Sequence, residues 1–253
     1  MSLTKILKDK YSIENEKFTT KTKKICILDT ETLSITEPRI YDFGMLIADL
    51  KGNILFKKQF VVDEVISSKK MQTAFYSSKL PEYERRIKEN LLTVDKFWNV
   101  SKQVNEVLND FNVKTLGAYN LPFDDRAMTF STRQYKFLDE FISKPHQFDR
   151  VDLWTVACRY IASMPEYWKF CVENGFYSKA KNLTTNAEVM YAFITNNPSY
   201  KEEHISIDDC IIEYEILNFI LNVNKPKQKI GNLVNDIKGS PYHLAKFDKT
   251  LIK

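Results

Sequence analysis

The sequence predicts an α/β fold in a single domain, with a mixed β-sheet flanked by α-helices. Strand-like apolar runs come first in the chain, and helical and strand-like segments alternate after them. No Pro-, Gly- or Ser-rich linker divides the 253 residues. A hydrophobic fraction of 43% is enough for a sizeable core at this length. With only 6 Gly and 8 Pro, the composition is that of a packed globular protein.

Three early segments have the pattern of strands, and they are Lys24–Leu28, Tyr41–Asp49 and Ile54–Val62. The first ends in four consecutive apolar residues, which is typical of a strand buried on both faces. The second and third are joined by Leu50-Lys51-Gly52-Asn53, with Gly where a positive φ is needed. So short a connection predicts that these two strands are antiparallel.

Later segments alternate between helical and strand patterns. From Thr93 to Phe111, apolar residues recur every three or four positions, which predicts an amphipathic helix. The remaining predicted elements are a strand at Thr115–Tyr119, a helix at Pro122–Tyr135, a weak strand at His146–Phe148, and helices at Asp152–Ser163, Pro165–Glu173, Thr185–Thr195 and Ser206–Asn222. Asp152 is expected to cap the helix after it, and Thr185 with Glu188 has capping-box spacing.

Composition restricts the location and the partners of the protein. The domain is predicted at residues 24–224, between an N-terminal extension at 1–23 and a C-terminal tail at 225–253. The absence of a secretory pattern and of any run of about 20 apolar residues predicts a cytoplasmic protein with no membrane partner. A net charge of +4 permits a polyanionic partner without indicating one. The four cysteines lack C-x-x-C spacing and are expected to be reduced and buried, without zinc.

An acid pair follows the first apolar run. In Ile25-Cys26-Ile27-Leu28-Asp29-Thr30-Glu31, two carboxylates are one residue apart beside a predicted buried strand. Such carboxylates repel each other unless a cation, a proton or solvent relieves them. Strand ends are also where α/β sheets place their ligands. The pair therefore predicts a divalent-metal site completed by acids from elsewhere in the chain.

Two other segments carry candidate site residues. Gly117–Asp125 leads from a strand into a helix and should place Asp124 in the first helical turn. In His204–Cys210, Asp209 should lie at the start of the last long helix and His204 in the loop before it, where it can move. On one continuous helix His204 and Asp209 would be about 140° apart.

Each of these residues also has an ordinary explanation when taken alone. Asp29 and Glu31 could end a strand in a solvated turn, and Asp124 could be favoured by the helix dipole. Ser206-x-x-Asp209 has capping-box spacing. His204 could be a surface histidine. The functional interpretation depends on the occurrence of all of them in a fixed order.

This order resembles a known family of enzymes. D-x-E after a buried strand, a distant N-x-x-F-D and a final H-x-x-x-x-D are similar to the motifs of the DEDD 3′–5′ exonucleases. The histidine places the resemblance in the DEDDh-type (DnaQ-like) branch, which includes polymerase proofreading subunits and has a ribonuclease-H-like fold. The resemblance extends from about Lys24 to about Asn224.

The resemblance implies a role for each motif residue. Asp29, Glu31, Asp124 and Asp209 would bind two Mg²⁺ or Mn²⁺ ions, and His204 would be the general base. Residues that would contact the terminal nucleotides are Thr30, Thr32, Leu33, Asn120 and Phe123.

The implied reaction is hydrolysis of phosphodiester bonds from the 3′ end of a nucleic acid, releasing nucleoside 5′-monophosphates by a two-metal mechanism. Single-stranded DNA is favoured as the substrate, and a polymerase or other replication protein is a candidate partner. One alternative is a catalytically silent nucleic-acid-binding or polymerase-associated module on the same fold. The other is an RNA-trimming exoribonuclease, because no motif reads the 2′-hydroxyl group.

Overall fold

A computed structural model of the chain describes residues 5, 9–10, 23–49, 51–74, 76–136, 139–142, 144–223, 247 and 249–251. Most of the predicted N-terminal extension and most of the C-terminal tail lie outside these residues, so both remain predictions. Within the described residues, no helix is both long and apolar enough to cross a lipid bilayer.

A six-stranded sheet is the centre of the fold. Its strands are β1 (Lys24–Thr32), β2 (Ile40–Asp49), β3 (Ile54–Val62), β4 (Thr93–Asp95), β5 (Thr115–Ala118) and β6 (Asp149–Asp152). Their order is β4-β3-β2-β1-β5-β6. The β1–β2 and β2–β3 pairs are antiparallel and the β3–β4 pair is parallel. The sheet is therefore mixed, as predicted.

Helices flank the sheet, which confirms the predicted α/β class. In the described residues the α-helices are α1 (Asp63–Ile66), α2 (Leu80–Lys88), α3 (Phe97–Asp110), α4 (Leu121–Gln134), α5 (Leu153–Tyr160), α6 (Pro165–Asn174), α7 (Ala187–Ile194) and α8 (Ser206–Val223). Contacts group the chain into two compact units, the first made of 1–116, 122–149 and 204–210, and the second of 117–121, 150–203 and 211–253. Each unit combines three separate stretches of sequence, so no single linker divides the chain.

Strand β1 is longer than predicted. The prediction ended it at Leu28, but its pairing with β2 continues through Asp29 opposite Gly44 and Glu31 opposite Asp42. The acid pair therefore lies inside the strand and not after it. The ladder continues because polar side chains do not prevent backbone pairing when a neighbouring strand supplies donors and acceptors.

The predicted helix at 93–111 begins later than expected. Thr93–Asp95 forms β4 beside β3, and α3 starts at Phe97. The Asp95 carboxylate accepts hydrogen bonds from the amide of Lys96 and the side chain of Asn99 at this transition. Helical periodicity cannot reveal an edge strand, because the partner strand lies more than thirty residues earlier in the sequence.

Three predictions in the second half of the chain were wrong in detail. The weak strand at 146–148 is a 3₁₀ turn, and β6 follows it. The Asp152 carboxylate does not cap α5 but accepts the backbone N–H groups of Asn120 and Leu121, at 3.0 and 3.3 Å. Asn186, and not Thr185, caps α7 by accepting the amide of Val189 at 3.1 Å.

The cysteines agree with their prediction. All four are free thiols in buried positions. Burial raises the pKa of Cys158 and of Cys171 to about 12, which keeps these thiols protonated at neutral pH. The cysteines therefore act as small apolar core residues.

Candidate active site

Three predicted site residues converge in the first unit. Glu31 on β1, His204 in the loop before α8 and Asp209 in the first turn of α8 each offer one ligand atom. These three atoms lie within 4.8 Å of one another. Glu31 and Asp209 are buried, and His204 is half-buried. A cluster of oxygen and nitrogen ligands at this spacing could hold a cation.

Asp124 is joined to the acid-bearing strand by a hydrogen bond. It lies in the first turn of α4 and is 2% exposed. The Thr30 hydroxyl, between the two acids of β1, donates to Asp124 Oδ1 at 2.8 Å. Burial raises the pKa of Asp124 to about 8, although the hydrogen bond from Thr30 acts in the opposite direction. Burial therefore favours the neutral form of this carboxyl group, and a positive charge nearby would favour the ionised form.

Asp29 is half-buried on β1, two residues before Glu31. Residues two apart on a strand have their side chains on the same face, so β1 directs both acids to one side of the sheet. Neither Asp29 nor Asp124 belongs to the described cluster of Glu31, His204 and Asp209. The structure thus brings three of the five predicted catalytic residues together. A fourth, Asp124, is joined to β1 by its hydrogen bond from Thr30.

A buried carboxylate fixes the start of α8 to the sheet. Asp42 lies on β2 opposite Glu31 and is fully buried. It accepts hydrogen bonds from the Tyr83 hydroxyl at 2.7 Å, Gln59 Nε2 at 2.9 Å, Ser206 Oγ at 2.7 Å and the Ser206 amide at 3.1 Å. Burial raises the pKa of Asp42, and the donors on Tyr83 and Ser206 oppose this effect.

Close packing of β2 against the same helix start reinforces this attachment. A Cβ atom on Gly44 would lie 2.4 Å from the backbone C and O atoms of Ser206. Ser206 is two residues after His204 and three before Asp209, so the strand determines the position of both. Sequence analysis missed Asp42 and Gly44. The sequence did contain a signal for both residues, because an acid and a glycine are uncommon inside an otherwise apolar strand.

The capping-box explanation for Asp209 does not describe this helix start. The Ser206 hydroxyl donates to Asp42, and the amide of Asp209 donates to the carbonyl of Ile205 at 3.0 Å. The neighbouring acid has a different role, because Asp208 forms an ion pair with Arg86. Asp208 therefore belongs to a salt bridge, whereas the adjacent Asp209 belongs to the cluster with Glu31 and His204.

His204 has a strained backbone and an aromatic neighbour. Its φ of 50° lies in the left-handed region, which non-glycine residues rarely adopt. The Tyr76 ring lies against the imidazole, with the two centroids 4.9 Å apart and the planes 31° from parallel. These features define the position of the ring. His204 lies in the loop before α8, as predicted, and its expected mobility there stays a prediction.

The five predicted nucleotide contacts lie in different environments. The Thr30 hydroxyl bonds to Asp124, the Thr32 hydroxyl donates to the Ser34 carbonyl at 3.4 Å, and Leu33 is buried. In the first unit, the guanidinium group of Arg126 lies 5.2 Å from the centre of the half-buried Phe123 ring. Asn120, in the second unit, is exposed and has a φ of 68°.

Comparisons with known proteins show a similarity in structure alone. The sequence matches no protein-family model, and no curated protein sequence is significantly similar to it. The zinc-bound E. coli exonuclease I–single-stranded DNA complex is similar over 82% of this chain, with 16% identity and a TM-score of 0.53. E. coli exonuclease I with a dT13 oligonucleotide carrying a 5cy label matches 82% of the chain, at 14% identity and a TM-score of 0.54.

A third similar structure is SSB/exonuclease I in complex with the inhibitor CFAM, which matches 79% of the chain at 15% identity and a TM-score of 0.55. In all three comparisons the match covers 42% of the longer protein, so this chain spans less than half the length of its structural neighbours. At this level of identity the likeness shows the fold, which is the ribonuclease-H-like fold of these exonucleases.

Proposed function

We propose that the protein is a metal-dependent 3′–5′ exonuclease that acts on single-stranded nucleic acid, with DNA favoured over RNA. The observation that carries this proposal is the convergence of Glu31, His204 and Asp209 within 4.8 Å. These residues come from two segments about 170 residues apart in the sequence. The likeness of the fold to exonuclease I, which has been solved with single-stranded DNA, supports the choice of substrate.

The donor set suits a hard divalent cation. Asp29, Glu31, Asp124 and Asp209 offer carboxylate oxygens, which Mg²⁺ and Mn²⁺ prefer. Asp124 fits this role, because its burial favours the neutral form unless a cation is near. When bound, two such ions supply an activated water and neutralise the charge that develops on the leaving oxygen.

His204 is proposed as the general base. An imidazole can accept a proton near neutral pH, and proton removal from the attacking water makes that water a better nucleophile. Contact with Tyr76 restricts the rotation of the ring, and the attachment of Ser206 to Asp42 fixes the segment that carries it. Phe123 is proposed to stack on a base, which is a contact that tolerates any sequence.

Matched pairs of adjacent acids provide the test. The assay follows shortening of a 5′-labelled single-stranded DNA oligonucleotide in Mg²⁺, with released mononucleotides identified by chromatography. Asp124→Asn and Asp209→Asn should each lower the rate by about 100-fold or more, since each removes a metal-binding oxygen. The control variants Asp125→Asn and Asp208→Asn should retain activity within a few fold. Equal losses in both members of a pair would contradict the assignment.

The same assay separates the remaining alternatives. A wild-type protein that binds the oligonucleotide without shortening it at any Mg²⁺ or Mn²⁺ concentration would be a silent binding module. Faster shortening of a matched RNA oligonucleotide would make the protein an exoribonuclease. Association with a polymerase or another replication protein stays a prediction.

A further inference from the structure

The second unit contains a cavity that none of the five predicted catalytic residues lines, although Asn120, one of the five predicted nucleotide contacts, does. Its volume is about 740 Å³, and its wall is rich in aromatic rings and amides. The residues that carry these rings and amides are Tyr119, Trp154, Tyr177, Asn120, Asn182 and Asn186. We propose that this cavity binds a nucleobase and the adjoining phosphate of single-stranded nucleic acid. The inference rests on the proposed function and adds to it a binding site for a nucleotide.

Two of the rings have their polar atoms already bonded within the protein. Trp154 Nε1 donates to Thr185 Oγ1 at 3.0 Å, and the Tyr119 hydroxyl donates to the Thr185 carbonyl at 2.6 Å. Both rings are therefore oriented by one residue, and what they offer to the cavity is apolar surface. Rings held in place lose little entropy when a flat ligand stacks on them. Bases of every kind have such a flat face.

Amide groups supply the polar part of the wall. Asn120 and Asn182 are exposed, and an Asn side chain presents both a donor and an acceptor. The edges of nucleobases present the complementary groups. Asn120 also belongs to the N-x-x-F-D motif and stands four residues before Asp124.

A basic loop begins and ends at two residues of the cavity wall, Ser178 and Asn182, and its charge suits a phosphate group. Residues 178–182 form a tight loop, in which the amide of residue 178 donates to the carbonyl of residue 182 at 2.8 Å. This loop carries Lys179 and Lys181, and Lys249 Nζ donates to Asn182 Oδ1 at 2.7 Å. Among the described residues that line the cavity, none is Asp or Glu. A phosphodiester group is therefore the favoured anion. The carboxylate of a protein ligand fits less well, because it is not attached to a flat base that could stack on the rings.

Binding measured in EDTA tests the site without catalysis. The probe is a fluorescein-labelled oligo(dT), and anisotropy gives its Kd. Tyr177→Ala should raise the Kd about tenfold, because one stacking surface is lost. Tyr177 is 36% exposed, and its backbone bridge to Leu183 does not need the ring. Trp98→Ala is the matched control, since Trp98 is 50% exposed on α3 in the first unit. An unchanged Kd for Tyr177→Ala would overturn the proposal.

An abasic oligonucleotide separates the base from the phosphate. It should bind the wild-type protein about tenfold more weakly than oligo(dT), and Tyr177→Ala should weaken it no further. Lys179→Ala should instead weaken both probes and reduce the salt dependence of binding by about one ion. If Tyr177→Ala weakens the abasic probe as much as oligo(dT), the ring does not contact a base and the inference fails.

Tryptophan fluorescence gives a second readout that does not depend on truncating a side chain. Stacking of a base on Trp154 should quench emission in the wild type and in Trp98→Phe, and most of this quenching should be lost in Trp154→Phe. Equal quenching in both variants would overturn the proposal. If instead the protein is not an exonuclease, it should bind oligo(dT) normally in EDTA and fail to shorten DNA in Mg²⁺.

Discussion

Gly44→Ala is the sharpest test of how the candidate site is held together. The added Cβ atom would lie 2.4 Å from the C and O atoms of Ser206 and 2.8 Å from the amide nitrogen of Ile207. Ordinary contacts between such atoms are about 3.5–4.0 Å. All three atoms belong to the backbone, so no side-chain rotation relieves the overlap. The start of α8 must therefore move by about 1 Å from β2.

The expected effects on stability and on activity differ in size. Overpacking of this kind costs about 1–3 kcal/mol, which leaves a protein of ordinary stability folded. The same shift carries His204 and Asp209 away from Glu31, which lies on the neighbouring strand. A displacement of about 1 Å at a catalytic group costs about 100-fold in rate. We therefore expect a folded protein with about 1% of the wild-type activity.

The assay compares initial rates of oligonucleotide shortening in saturating Mg²⁺ with urea unfolding of the same samples. Gly175→Ala is the control, since no atom lies within 4 Å of its added Cβ. Its φ of +73° makes alanine strained there, so it should lose about 1 kcal/mol of stability and keep its activity. Wild-type activity in Gly44→Ala would refute the reasoning. Equal losses of activity in the two variants would show that only general stability matters.

Three further predictions concern buried groups. Asp42→Ala should lower the free energy of unfolding by about 3 kcal/mol or more, because the donors around the carboxylate are left buried without an acceptor. Asp42→Asn should lose less stability. Urea unfolding measures both variants, and equal losses would contradict the role of these hydrogen bonds. Mn²⁺ at about 100 times its Kd should stabilise the protein by about 2.7 kcal/mol in thermal unfolding. Asp209→Asn should lose this stabilisation and Asp208→Asn should keep it, whereas its persistence in both would exclude Asp209 as a ligand. The four cysteine thiols should react with a thiol reagent only after unfolding, since burial makes them inaccessible. Rapid reaction of the native protein would refute this.

Local patterns in the sequence were sufficient for most of the elements. The apolar runs of β1, β2 and β3 and the periodicity of α3 and α8 depend on neighbours only a few residues away. The two helices between β3 and β4 were missed for related reasons. Helix α1 has only four residues, too few for a periodic pattern, and α2 is dominated by charged side chains. Their stability comes from contacts with the rest of the unit, which a local pattern does not contain.

The sequence by itself determined which acids and which histidine were candidates, because their order and spacing can be read along the chain. Only the tertiary structure decided that Glu31, His204 and Asp209 converge, and that Asp42 and Gly44 hold the helix start that carries two of them. The hydrogen bond from Ser206 to Asp42 joins residues 164 positions apart. Local propensity reports short-range preferences of the backbone, whereas such contacts arise only when burial of the whole sheet brings distant segments together.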